Sequence, residues 1–181
     1  MIIKKRAFVI FLIMFLCYAL LFSGCKRDWS SKKDGIKFIN YNFDISRRAN
    51  DQRAPVCAYN SVNDEYIIVW DDYRSGVDHD IYASVIDRIS GDYIFSEICI
   101  SAAINEQTEP SVAFNPIAKE YLIVWEDKGN GVDYDIYGQF VSSTYGTLIG
   151  PNFLISGVIS YDERAPKVLY NSVDNNYLVV W

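Results

Sequence analysis

Acidic side chains gather at one kind of place in this sequence, and they do so twice. One run reads Asp71-Asp72-Tyr73-Arg74-Ser75-Gly76-Val77-Asp78-His79-Asp80, and a second reads Glu126-Asp127-Lys128-Gly129-Asn130-Gly131-Val132-Asp133-Tyr134-Asp135. Clustered carboxylates beside a glycine offer hard oxygen ligands to Ca²⁺. The candidate ligands are Asp72, Asp78, Asp80, Asp127, Asp133 and Asp135. The same residues suit a plainer role, in which short acidic side chains cap a turn by accepting backbone N–H bonds. The spacing departs from the Asp-x-Asp-x-Asp-Gly order of calcium loops, and Arg74 or Lys128 stands among the acids. Both features favour capping over a cation.

Catalytic constellations find little support. The single histidine, His79, lies in one acidic run and is matched by Tyr134 in the other, so it is a poor general base. No Gly-x-Ser-x-Gly elbow, phosphate loop or paired Cys/His spacing occurs. The acidic turns are too numerous to single out a carboxylate pair for glycoside hydrolysis. Trp70, Trp125 and Trp181 offer faces on which sugars stack, yet each ends an apolar run, which points instead to packing between sheets. Tyr66, Tyr121 and Tyr177 read the same way.

The runs that must position these residues repeat. Pro55-Val56-Cys57-Ala58-Tyr59-Asn60 returns as Pro110-Ser111-Val112-Ala113-Phe114-Asn115 and as Pro166-Lys167-Val168-Leu169-Tyr170-Asn171. Glu65-Tyr66-Ile67-Ile68-Val69-Trp70 returns as Glu120-Tyr121-Leu122-Ile123-Val124-Trp125 and as Asn176-Tyr177-Leu178-Val179-Val180-Trp181. Asp80-Ile81-Tyr82 returns as Asp135-Ile136-Tyr137, and Cys99-Ile100-Ser101 as Leu154-Ile155-Ser156. The tryptophans are spaced by 125 − 70 = 55 and 181 − 125 = 56 residues. Self-similarity at a fixed period of this size marks a repeat architecture.

Each unit reads as four short strands. The Tyr-x-x-Val-Trp run is β-branched and aromatic throughout, as for a strand covered on both faces. The Asp-Ile-Tyr run alternates, with Ile136, Gly138 and Phe140 on one side and Tyr137, Gln139 and Val141 on the other. Turn clusters separate the runs: Asn60 to Asn63, Arg74 to Gly76, and Ser90-Gly91. Four antiparallel strands per unit make a β-propeller blade. The fold predicted is therefore all-β: tandem four-stranded antiparallel blades of an incomplete propeller, about two and a half in number. Residues 47–101 form one blade, 102–156 a second, and 157–181 the first half of a third. Ile45-Ser46 stands ten residues before Pro55, as Ile100-Ser101 stands ten before Pro110, so 35–46 reads as a lone fourth strand. A propeller needs about four blades to close. Three readings stay open: a truncated product, several chains sharing one ring, or an open stack of sheets. The first two and a half blades leave apolar faces through which the chain would self-associate.

With its acidic residue, basic residue, glycine and Asp-Ile-Tyr at one hairpin, each full unit resembles the TolB-like and related secreted propeller repeats. That resemblance implies the blade fold over residues 36–181 and carries little about activity. The Ser-x-Asp-x-Gly-x-x-Trp box of sialidase-like propeller hydrolases is missing here.

The N-terminus has another logic. Lys4, Lys5 and Arg6 precede an uncharged apolar stretch from Ala7 to Phe22, followed by Ser23-Gly24-Cys25. A basic segment, an apolar segment and small exit residues make a signal peptide, and sixteen apolar residues fall short of the ~20 that span a bilayer. Leu21-Phe22-Ser23-Gly24-Cys25 resembles the lipobox of bacterial lipoproteins, with Phe22 where leucine is usual. The resemblance implies cleavage after residue 24, acylation of Cys25 with palmitate-type chains, and membrane attachment. Residues 26–34, polar and rich in Lys and Ser, then read as a tether. Lys26 rather than an aspartate follows the cysteine, which points to an outer-membrane or cell-surface destination within the cell envelope.

Removing residues 1–24 takes three basic and no acidic groups from 17 Lys+Arg and 23 Asp+Glu, leaving 14 − 23 = −9. That balance disfavours nucleic acid as a partner, which needs a basic footprint. Cys57 and Cys99 stand where the other units carry Val112, Val168 and Leu154. They read as buried free thiols rather than a disulfide. No cofactor is implied beyond the Ca²⁺ considered above. The expected function is a non-enzymatic surface module that binds protein or polysaccharide, or a scaffold. The alternative is the N-terminal part of a secreted propeller hydrolase, glycosidase or sialidase-like, whose catalytic blades lie elsewhere.

Overall fold

The computed structural model describes residues 44–157 and 161–181. The signal peptide, Cys25, the tether and residues 35–43 of the expected lone strand lie outside the described residues. The remainder of that strand, 44–46, is not in a strand.

Ten strands follow in order: β1 (Gln52–Asn60), β2 (Glu65–Asp72), β3 (Asp80–Asp87), β4 (Tyr93–Ser101), β5 (Gln107–Asn115), β6 (Glu120–Asp127), β7 (Asp135–Ser142), β8 (Leu148–Ser156), β9 (Lys167–Asn171) and β10 (Asn176–Val180). They form two four-stranded sheets, β1-β2-β3-β4 and β5-β6-β7-β8, and a two-stranded sheet of β9 and β10. All pairs are antiparallel. The described chain is therefore all-β, with two complete propeller blades and the first half of another. Among the described residues no helix is long and apolar enough to cross a membrane.

Turn chemistry explains why the hairpins close where they do. Asn60 Oδ1 accepts hydrogen bonds from the backbone N–H of Val62 and Asn63, Asn115 Oδ1 from Ile117 and Ala118, and Asn171 Oδ1 from Val173 and Asp174. Each asparagine thus holds the first hairpin of its blade in an Asx turn. A second device recurs at the start of each blade. Ala54, Glu109 and Ala165 have φ of 47°, 52° and 54°, although each precedes a proline, a position that ordinarily favours extended backbone. In the two complete blades this residue sits inside the register shift between Arg53 and Val56, or between Thr108 and Ser111. A bulge re-aims the strand after it, so the same bend is built at each blade.

Stacking of the blades makes the core. β5 crosses β1, β2 and β3, and β9 crosses β5 and β6. Alternation along the strands sends every second residue to a different neighbour. Tyr121, Ile123 and Trp125 pack with Ile67, Val69, Ile81 and Ile100 of the first blade. Leu122 and Val124, between them in sequence, pack with Val168, Tyr177 and Val179 of the half-blade. β6 is accordingly buried from Tyr121 to Asp127, as expected of a doubly covered strand, whereas β10 alternates because only one of its faces has a neighbour. On β7, Phe140 joins the half-blade cluster while Tyr137 and Val141 join the other.

Two expectations are corrected. Cys57 and Cys99 are free, but both are exposed rather than buried. Cys57 lies on the face of β1 that corresponds to the face of β5 packed on the first blade, and no described blade covers it. Cys99 lies on the outermost strand, where its counterpart Leu154 is also exposed. Trp181 stands one residue beyond β10 and is 53% exposed, while Trp70 and Trp125 are buried.

Candidate functional site

The links from β2 to β3 and from β6 to β7 lie at one end of the blades, beside the segments that lead into β5 and β9. Hydrogen bonds join them across each blade junction. Gln107 N–H donates to His79 O and Glu163 N–H to Tyr134 O, both at 2.8 Å. The backbone N–H of Tyr134 donates to Asp162 Oδ1 at 3.1 Å, and that of His79 to Glu106 Oε2 at 3.4 Å. His79 Nδ1 also lies 2.9 Å from Glu106 Oε2, and its ring packs on Tyr73. The His/Tyr exchange between repeats therefore falls at a structural seam.

Five of the candidate calcium ligands, all but Asp80, have other partners. Asp72 Oδ2 accepts a hydrogen bond from Trp70 Nε1 at 2.8 Å and pairs with Arg74 at 2.6 Å, while Oδ1 accepts the Arg74 backbone N–H at 2.9 Å. Asp127 repeats the device, with Trp125 Nε1 at 3.0 Å and Gly129 N–H at 2.7 Å. Burial works against the charge of Asp72, but the hydrogen bonds from Arg74 and Trp70 outweigh it and hold the carboxyl below its usual range. Ser75 Oγ accepts the N–H groups of Val77 and Asp78, and Asn130 Oδ1 those of Val132 and Asp133. Asn130 Nδ2 donates to Asp133 at 2.6 Å and Asp135 at 3.1 Å. Among the described residues no group of three or more His, Cys, Asp or Glu side chains converges as a metal ligand set.

Two features of this rim are chemically unusual. Asp80 is buried, and burial first, then the neighbouring Asp78 and Asp72 carboxylates, push its carboxyl up to about 6. Asp135 is raised for the same first reason, with Asp133 and Glu163 adding. An arginine also lies on a tyrosine ring twice, once within the first blade and once at the second junction. The Arg74 guanidinium lies 3.6 Å from the Tyr82 centroid, and Arg164 lies 3.4 Å from that of Tyr134. Tyr82 is pushed up to about 12, by burial before the adjacent Cys99 thiol. Tyr137 stacks beside Trp125 instead. Glu97 completes the first rim, held by Arg48 and lying 3.7 Å from Arg74. Glu126 holds Arg164 at 2.9 Å and the Ala165 N–H at 2.6 Å in the second. The rim thus carries planar cations on aromatic rings beside carboxyl groups.

Sequence reasoning missed Arg48, Glu97, Glu106 and Arg164, although Asp51, Glu106 and Asp162 recur at the repeat period and Arg164 stands two repeats after Arg53. It also missed a buried network at the opposite end. Asn60 Nδ2 donates to Glu65 Oε1 at 2.7 Å and to Tyr121 Oη at 3.0 Å, and Tyr121 Oη donates to Glu65 Oε1 at 3.1 Å. The recurrence of Asn, Glu and Tyr in the repeats was the available signal.

No family model matches the sequence, and a search of curated proteins finds no match. Among solved structures the chain is similar to Penicillium chrysogenum alpha-L-arabinanase complexed with arabinobiose, at 14% identity and a TM-score of 0.48. The likeness covers 70% of this chain and 38% of that one, so the chain spans well under half of the arabinanase's length.

Proposed function

We propose that this chain is a lipid-anchored module of the cell envelope whose propeller blades form a rigid, non-enzymatic platform for a polysaccharide or protein ligand. The observation that carries the reading is the contrast between core and rim. Packing positions repeat from blade to blade, while the side chains set on the same rim change: Arg74 becomes Gly129 in the paired links, His79 becomes Tyr134, and Glu106 becomes Asp162. Constant packing with variable rims is what a display scaffold requires. The lipobox-like residues around Cys25 supply the anchor.

Two measurements test it. Cells expressing the chain with an alkyne-tagged fatty acid should label it, and Cys25→Ser should abolish the label and release the protein from membranes. The intact chain probed on glycan and peptide arrays should bind a defined class, weakened at least tenfold by Arg74→Met. Absence of labelling overturns the anchor. Release of reducing sugar from a bound glycan overturns the non-enzymatic reading in favour of a propeller hydrolase.

A further inference from the structure

The two complete blades carry the same aspartates and tyrosine at one corner of the rim, but only the first supplies a cation to them. There Arg74 lies 3.6 Å from the Tyr82 centroid, donates to Asp72 Oδ2 at 2.6 Å and stands 3.7 Å from Glu97. In the second blade Asp127, Asp135 and Tyr137 repeat Asp72, Asp80 and Tyr82, while Gly129 takes the place of Arg74 and Asn152 that of Glu97. Among the described residues no cation lies over the Tyr137 ring, and the adjacent Lys128 lies over Tyr134 instead. The corner is accessible to solvent: Asp135 and Tyr137 are half-buried, and Asn152 and Leu154 are exposed. Charge differs accordingly. Arg74 offsets the crowding at Asp80, whereas every charged group that shifts Asp135 is another carboxylate. Ser101 gives a second sign, being 3% exposed with a buried hydroxyl that has no hydrogen-bond partner. Its counterpart Ser46 lines a cavity with Trp70, so the repeat sets Ser101 beside Trp125, whose indole holds Asp127.

We propose that the second blade binds an arginine side chain of a partner protein at the place Arg74 fills in the first, its guanidinium lying on Tyr137 and donating to Asp127. The molecule's own first blade identifies the occupant, because there the equivalent residues already ligate a guanidinium. Asp72 Oδ2 accepts both the Trp70 indole and Arg74, whereas Asp127 Oδ2 accepts the Trp125 indole and keeps room for a second donor. A guanidinium meets both demands of the corner at once, stacking flat on an aromatic ring while its edge donates to a carboxylate. An ammonium is a point charge and cannot fork between ring and carboxylate in this way. A metal ion fits less well, since among the described residues no such ligand set converges. Asp135 adds negative charge beside the guanidinium, and Asn152 offers an amide oxygen where the first blade has Glu97. With the rim read as a display platform, on which this site rests, its protein ligand gains one defined chemistry.

The indole N–H of Trp125 reports on the site, because it donates to Asp127 Oδ2 at 3.0 Å. The peptide acetyl-Gly-Arg-Gly-amide, titrated into the full chain in mild detergent, should move that proton signal in a saturable way. Acetyl-Gly-Lys-Gly-amide should bind at least threefold more weakly. Gly129→Arg supplies the guanidinium from within the chain and should abolish the response to peptide while the melting temperature holds or rises. Gly129 is not in the left-handed region, and the atom nearest an added Cβ is the Asp127 carboxylate oxygen, which Asp72 accommodates beside Arg74 in the first blade. If G129R melts early, D135N decides instead: it removes a crowded carboxylate and should weaken the arginine peptide at least threefold. A signal that does not move or does not saturate overturns the site. So does an arginine peptide no tighter than its lysine counterpart, a folded G129R that still binds, or a D135N of unchanged affinity. The platform reading fails separately, through loss of array binding by the wild-type chain.

Discussion

Replacing Asp80 by asparagine should stabilise this protein most at neutral pH and least in mild acid. The side chain is buried at the start of β3, near the carboxylates of Asp78 and Asp72, and its carboxyl is raised from 3.8 to about 6. A raised folded-state value means that folding prefers the protonated acid. The contribution is therefore fully present below the unfolded value near 4 and is lost as pH rises through about 6. At ~1.4 kcal/mol per pH unit of displacement, the full loss at neutral pH is at most about 3 kcal/mol. Arg74 and His79 lie close enough to oppose it, and solvent screening at the rim reduces it further, so about 1–2 kcal/mol is expected. Asparagine keeps the shape and removes the ionisation. Urea unfolding of wild type and D80N at pH 4.0, 5.5 and 7.5 reads the difference between them. The difference should be smallest at pH 4.0 and largest at pH 7.5, with D80N the more stable there. Carboxyls held low, such as Asp72 and Glu97, lose stability as pH falls, but they do so in both proteins and cancel. A constant difference across the three pH values, or a wild type that is the more stable at pH 7.5, would refute the argument.

Three further outcomes are expected. Tyr121→Phe leaves Asn60 and Glu65 short of one buried partner and should cost about 1–3 kcal/mol in denaturant unfolding; Tyr177→Phe, half-buried with its hydroxyl 3.5 Å from Glu120, should cost less, and equal costs would contradict the network. Trp125→Ala removes a fully buried side chain and should cost about 3–5 kcal/mol, against under ~1 kcal/mol for the half-exposed Trp181→Ala, read as melting temperature. Because Asp72 and Asp127 are committed to indole, backbone and, at Asp72, guanidinium donors, millimolar calcium should leave the melting temperature where a chelator leaves it; a rise of several degrees would show that the acidic links do hold the ion.

The blade repeat was legible because its determinants are local. A hairpin asparagine at 60, 115 and 171 bonds to backbone two and three residues away, so its meaning is contained in a few residues of sequence. The apolar runs likewise encode strands whichever blade they join. The choice between capping and calcium was half legible. Capping by Asp72 is local, but nothing in the spacing showed that Trp70 Nε1 takes the other carboxylate oxygen.

What joins one blade to the next was not legible. The Asn60–Tyr121 bond spans 61 residues and the Arg164–Glu126 pair 38, and no local propensity ties such partners together. Cys57 shows the same divide: its repeat position said packed, as at Val112, yet exposure depends on whether a neighbouring blade lies over β1. By itself, the sequence determined strands, hairpins, phase and the acidic composition of the rim, since these rest on contacts within a few residues or on a two-residue period. Only the tertiary structure decided which faces are covered, which carboxyls are raised and which arginine stacks on which tyrosine. Burial and charge are set by neighbours the chain meets through stacking, and stacking joins residues some 55 positions apart.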